Sequence, residues 1–192
     1  MNNNRYALAG CLAFIQIAGN MSMFLFMIFM LATGSRALVL IVIRAMILIT
    51  MSFIGVYILY TLRRLLNERY DFRGTNTIIP IIAWFGVFIM IFAQFSEIIL
   101  YMIPRLRIVV IVSQILLCAI PMGILLIVFA SSLLRLKEAQ NTLLRPYSYT
   151  TLVAGVSLLA VISAPFTILI LVISNIFLGL YFLSPEPEVE FI

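Results

Sequence analysis

The chain has 192 residues, of which 65% are hydrophobic and 10% charged, and its mean hydropathy is +1.22. That balance excludes a soluble globular domain. The net charge of +5 does not make a nucleic-acid surface, because the basic residues stand singly between apolar runs and form no stripe.

Apolar stretches longer than about 18 residues recur along the whole chain, the mark of membrane-spanning helices. Runs such as 38–43 lack the alternating polarity of a barrel strand. The expected fold is therefore an all-α integral membrane protein. It is a single domain over residues 1–192, an antiparallel bundle of five transmembrane helices.

The first span covers about residues 6–33. Its apolar run is far longer than a signal-peptide core, so it reads as a retained helix. The second covers about 37–62, with Arg44 embedded near its start. A polar stretch, 63–76, follows, in which Arg64 and Glu68 stand at i,i+4. It prolongs the second helix until Gly74 ends it. The third span, about 77–103, has Thr75, Asn76 and Thr77 as candidate caps and Pro80 in its first turn. The link 104–107 is short, which makes the third and fourth spans an antiparallel pair, the fourth covering about 106–134.

A second polar stretch, 135–149, leads to the fifth span, about 150–183, with Pro165 at its middle. It is read as one long helix kinked near Pro165, since neighbours can satisfy the backbone that a transmembrane proline frees. Two half-helices forming a re-entrant segment are the alternative. The tail carries Glu186, Glu188 and Glu190.

Five spans place the termini on opposite sides of the membrane. Arg5, Arg63, Arg64, Arg69, Arg73, Arg135, Lys137 and Arg145 share one side; Arg36, Arg105, Arg107 and Arg44 belong to the other. This bias puts the N-terminus on the cytoplasmic side and the C-terminus opposite. Tyr6, Tyr57, Tyr60, Tyr147 and Tyr149 then mark the inner interface, and Tyr101 and Tyr181 the outer one.

Glu97 is the one carboxylate inside an apolar span, and a charge there needs a partner, water or a short route to the surface. Counted inward from the outer ends of their spans, Arg44, Gln94, Glu97, Gln114 and Asn175 all lie ~9–14 Å down. Gln94, Glu97 and Tyr101 share one face of the third helix. Ser113 and Ser174 add hydroxyls, and Gln16 and Asn20 extend the polar track along the first helix. Together these residues form an expected outer-leaflet polar cluster, in which matched depth makes Arg44 the natural counter-ion of Glu97. Its members are read as glue between helices, as a contact for a partner subunit, or as a solute site.

Met23, Met27 and Met30 share a face, but interleaved phenylalanines fit packing better than a Cu(I) site. Ala9/Ala13 and Ala160/Ala164 are small pairs suited to close helix approach. Cys11 and Cys118 lie at depths of ~8 and ~24 Å from the inner ends of their helices, too far apart for a disulfide. No histidine is present, Lys137 is the one lysine and Asp71 the one aspartate. Histidine-ligated metals, a retinal Schiff base and paired-aspartate catalysis are thereby excluded. No cofactor, metal site or catalytic residue is assigned, and the chain is not expected to be an enzyme.

The leading functional expectation is a non-catalytic integral subunit or assembly factor of a larger membrane complex. Its partners are the lipid bilayer and other membrane subunits or further copies of itself. The alternatives are a small oligomeric transporter or channel using the outer polar cluster, and a lipid- or quinone-binding membrane sensor.

Overall fold

A computed structural model describes residues 3–33, 38–136, 142–160 and 164–184. Among them are seven α-helices and no strand: α1 (Asn3–Thr33), α2 (Leu38–Tyr70), α3 (Ile78–Met102), α4 (Arg107–Gln114), α5 (Ile120–Leu134), α6 (Leu144–Leu159) and α7 (Ala164–Leu183). Five stretches are long and apolar enough to cross a membrane: Asn4–Phe26, Val39–Tyr70, Ile78–Met102, Pro104–Leu134 and Phe166–Leu183. Helices are required there because a bilayer interior offers the backbone no water to bond to. The protein is thus an all-α, multi-pass integral membrane protein.

The fourth stretch is one span built of three pieces. A turn of 3₁₀ helix, Pro104–Leu106, opens it, and α4 and α5 are joined by a π-helical turn, Ile115–Ala119. The cause is Pro121, which lacks an amide hydrogen and whose ring would strike the carbonyl of residue 117 in a regular α-helix. The wider π turn relieves that clash.

The fifth expected span requires correction. Residues 150–183 would make a helix of ~51 Å, against a hydrocarbon thickness of ~30 Å. Instead the chain breaks after Leu159 and folds back, so that α6 and α7 form an antiparallel hairpin rather than a single helix kinked at Pro165. Thr151 faces Ser174 and Ser157 faces Thr167, each pair at 2.9 Å. Pro165 stands in the first turn of α7, where its missing N–H breaks no helical bond.

The hairpin reverses the direction of α7. Its C-terminal end packs beside the start of α1, with Gly10 against Leu183 and Gly179, and Tyr181 donates a hydrogen bond to Tyr70 at the end of α2. The expectation that places the C-terminus opposite the N-terminus turns on residues 185–192, which lie outside the described residues. Asn4 and Ser184 sit at the same end of the bundle. The acidic residues beyond Ser184, like Lys137 and Arg36, lie outside the described residues.

Two smaller expectations also change. α2 ends at Tyr70, four residues before Gly74. Asp71 takes a positive φ of 44°, and the Phe72 amide returns to the Leu66 carbonyl. Thr77 is the N-cap of α3, but its side chain caps nothing. Asn76 instead accepts hydrogen bonds from Arg63 Nε and Asn67 Nδ2, both at 2.9 Å, and ties the α2–α3 turn together.

The core gathers at the end where α1 and α6 begin and α2, α5 and α7 finish. Tyr6, Leu62, Leu66, Phe129, Leu144 and Tyr181 are buried together there. Ala9 and Ala13 are fully buried, as small contact residues should be. Ala160 is exposed, and the hairpin break separates it from Ala164. Gly123 and Gly155 are the other close approach: a Cβ added to either would lie 2.9 or 2.8 Å from the carbonyl oxygen of its partner. This brings the backbones of α5 and α6 together.

Candidate functional site

The expected outer-leaflet cluster divides on inspection. Arg44 lies ~9 Å in from Leu38 and Glu97 ~8 Å in from Met102, and the two meet. Arg44 Nη1 donates to Glu97 Oε1 at 2.6 Å, joining α2 to α3. Equal depth on antiparallel neighbours permits this contact, and the rotation of each helix about its axis realises it. The pair is not sealed inside the bundle, for the side chains keep 26% and 23% of their surface.

Gln94, one turn deeper on α3, has its Nε2 buried without a hydrogen-bond partner. Gln114 closes α4. Ser113 bonds back to the Val109 carbonyl of its own helix. Asn175 does not belong to this group. Because α7 runs the other way, Asn175 is ~12 Å from the end that carries the termini. The register set by Gly10 beside Leu183 and Phe14 beside Gly179 puts it near Ala18, at mid-bundle. Ser174 spends its hydroxyl on Thr151. Gln16 places its amide against Gly55 of α2 rather than toward Arg44. The polar set at the Arg44 end is thus one ion pair, one unsatisfied amide and Gln114. Met27 and Met30 of the methionine face have side chains outside the described residues.

A second constellation lies at the terminal end. α2 is ~50 Å long, so its last two turns, from Arg63 on, stand beyond an apolar layer of ~30 Å. The i,i+4 pair is present there, with Arg64 Nε donating to Glu68 Oε1 at 2.5 Å. Tyr6 donates to the other carboxylate oxygen, Glu68 Oε2, also at 2.5 Å, and thereby fastens the start of α1 to the end of α2. No local pattern signals this contact, since its partners are 62 residues apart.

These residues bound a groove of about 450 Å³ lined by Arg5, Tyr6, Tyr57, Tyr60, Arg64 and Glu68. A neighbouring groove of about 460 Å³ continues from Tyr60 and Arg64 to Arg63 and Asn67. Tyr147, expected at the interface, is buried edge-on to Phe129, and Tyr181 has moved to this end with α7. Arg145 stacks on Tyr149, 5.8 Å from the ring centre. Cys11 and Cys118 are both free thiols. Among the described residues no three His, Cys, Asp or Glu side chains converge on one point. Comparison with protein-family models, with curated proteins and with solved structures finds no match to this chain.

Proposed function

We propose that the protein is a non-catalytic integral membrane component that works by association, its α2–α3 face receiving a transmembrane segment of a partner polypeptide. The observation that carries this reading is the Arg44–Glu97 pair. Ions inside a bilayer are costly unless they are paired and screened from lipid, and this pair keeps about a quarter of its surface open. A partner helix laid across it would supply the missing cover. Leu48 on α2, one turn from Arg44, is half-buried and Tyr101 on α3, one turn from Glu97, is exposed, each on the face that carries the pair, and α2 is the least covered of the five spans. Gln94 Nε2, unsatisfied one turn away, fits the same reading.

Orientation follows from charge. Arg5, Arg63, Arg64, Arg69, Arg73, Arg135 and Arg145 lie at the terminal end, against Arg105 and Arg107 at the far end with Arg44 just inside it. The positive-inside bias puts the terminal end on the cytoplasmic side, now together with the C-terminal end of α7.

The test is photocrosslinking in native membranes from a benzophenone amino acid placed at Leu48 or Tyr101, with the same probe at Trp84 as a reference position on α3. Capture of a discrete polypeptide from 48 and 101, lost with Glu97→Gln, is the expected result. Crosslinks to lipid alone from both positions, with a monodisperse monomer in mild detergent, would sink the proposal.

A further inference from the structure

The exposed face of α2 changes character along its length in one direction. Met46 (65% exposed) and Phe53 (74%) are bare and apolar, Tyr57 and Tyr60 follow half-exposed, and Arg64 and Glu68 close the series. Spacings of three, four and seven residues keep them on one side of the helix. Apolar, then aromatic, then cationic is the order met by a phospholipid that lies along a helix with its headgroup at the interface.

The cationic end is built to present donors. Arg64 bonds Glu68 through Nε, and Arg63 bonds Asn76 through Nε. Each guanidinium is thereby held in place with its terminal nitrogens still open. Arg5 enters the same groove from α1 and has no ion-pair partner among the described residues. Three arginines face one carboxylate, and that carboxylate is already engaged by Tyr6 and Arg64. Open guanidinium forks match the oxygens of a phosphate. The groove of about 450 Å³ beside Tyr57 and Tyr60 accommodates a headgroup.

We propose that this groove binds the phosphate of an anionic phospholipid from the leaflet at the arginine-rich end, with Arg5 and Arg64 as ligands, Arg63 at the rim and the acyl chains running along Tyr57 and Phe53. The site is separate from the Arg44–Glu97 face and does not depend on the partner reading proposed for that face. Tyr6 and Glu68 act as positioning residues, since they set Arg64 and join α1 to α2.

The experiment uses the full chain in a mild non-ionic detergent, with phosphatidylglycerol or phosphatidylcholine added and bound lipid counted by native mass spectrometry. Phosphatidylglycerol should be retained in preference. Arg5→Gln and Arg64→Gln should each weaken that retention about fivefold, the worth of one basic residue at an anionic surface. Arg105→Gln/Arg107→Gln, at the far end, should leave it unchanged. Arg64→Lys keeps the charge and removes the fork, so it serves where Arg64→Gln fails to fold, and it too should bind more weakly. Equal retention of the two lipids, or loss of preference in the far-end variant alone, overturns the proposal. Added inorganic phosphate should not displace the lipid; displacement would show that the site takes a free phosphoanion, and would overturn the assignment to a lipid.

Discussion

The Thr151 hydroxyl lies 2.9 Å from the Ser174 hydroxyl, and together with the Thr167–Ser157 bond this contact fixes α6 and α7 as antiparallel neighbours. Both side chains are buried, and since Thr151 gives its proton to the Tyr147 carbonyl at 2.8 Å, Ser174 donates to the Thr151 oxygen. Thr151→Val should destabilise the detergent-solubilised protein by about 0.6–1.7 kcal/mol, the range of interhelical hydrogen bonds in membranes. Ser174→Ala should cost a similar amount. The double variant should cost clearly less than the two single losses added together, because the two changes remove the same bond. Thermal melts of the four proteins check this, and additive losses would count against the pairing.

The hairpin also predicts topology. In a chain with Cys11 and Cys118 replaced by alanine, single cysteines at Asn4 and at Ser184 should react with a membrane-impermeant maleimide from the same side. A cysteine at Arg105 should react from the other. Labelling of Asn4 and Ser184 from opposite sides would restore a single fifth helix and exclude the fold described above.

Removing one member of the Arg44–Glu97 pair should be worse than removing both. Glu97→Leu leaves a guanidinium uncompensated ~9 Å inside the apolar layer, at an expected cost of about 2–3 kcal/mol. Arg44→Leu/Glu97→Leu should recover most of that loss, since a buried ion pair is often replaceable by apolar side chains. Denaturation in mixed micelles measures both. Equal stability of the single and double variants would show that Arg44 reaches the surface unaided.

The α5–α6 crossing tolerates no side chain. Gly155→Ala would drive its Cβ to 2.8 Å from the Gly123 carbonyl oxygen, backbone against backbone. An overpacking loss of about 1–3 kcal/mol is expected. Gly86, whose Cβ position is open, provides the control: Gly86→Ala should leave the melting temperature unchanged or raise it.

Much of this protein follows from its sequence alone. Runs of apolar residues longer than a bilayer is thick force helices, whatever their neighbours, because a backbone in lipid can bond only to itself. Hence the first four spans, the depth of Arg44 and Glu97, and the Arg64–Glu68 ladder could all be read from spacing along one chain segment. Hydropathy does not record direction or rotation, and the expectations for the fifth span and for Asn175 depended on direction. Residues 150–183 are equally apolar whether they run straight or fold back, and only the fit of Thr151 to Ser174 and of Ser157 to Thr167 decides that they fold back. That choice reversed α7, carried Tyr181 to the side of Tyr70 and removed Asn175 from the polar cluster to which its depth had assigned it. Rotation of α2 and α3 brought Arg44 to Glu97, and rotation of α1 and α2 brought Tyr6 to Glu68. These are contacts between residues 53 and 62 positions apart. They exist because packed helices turn their small and polar side chains toward one another, which is a property of pairs of helices and not of any one of them.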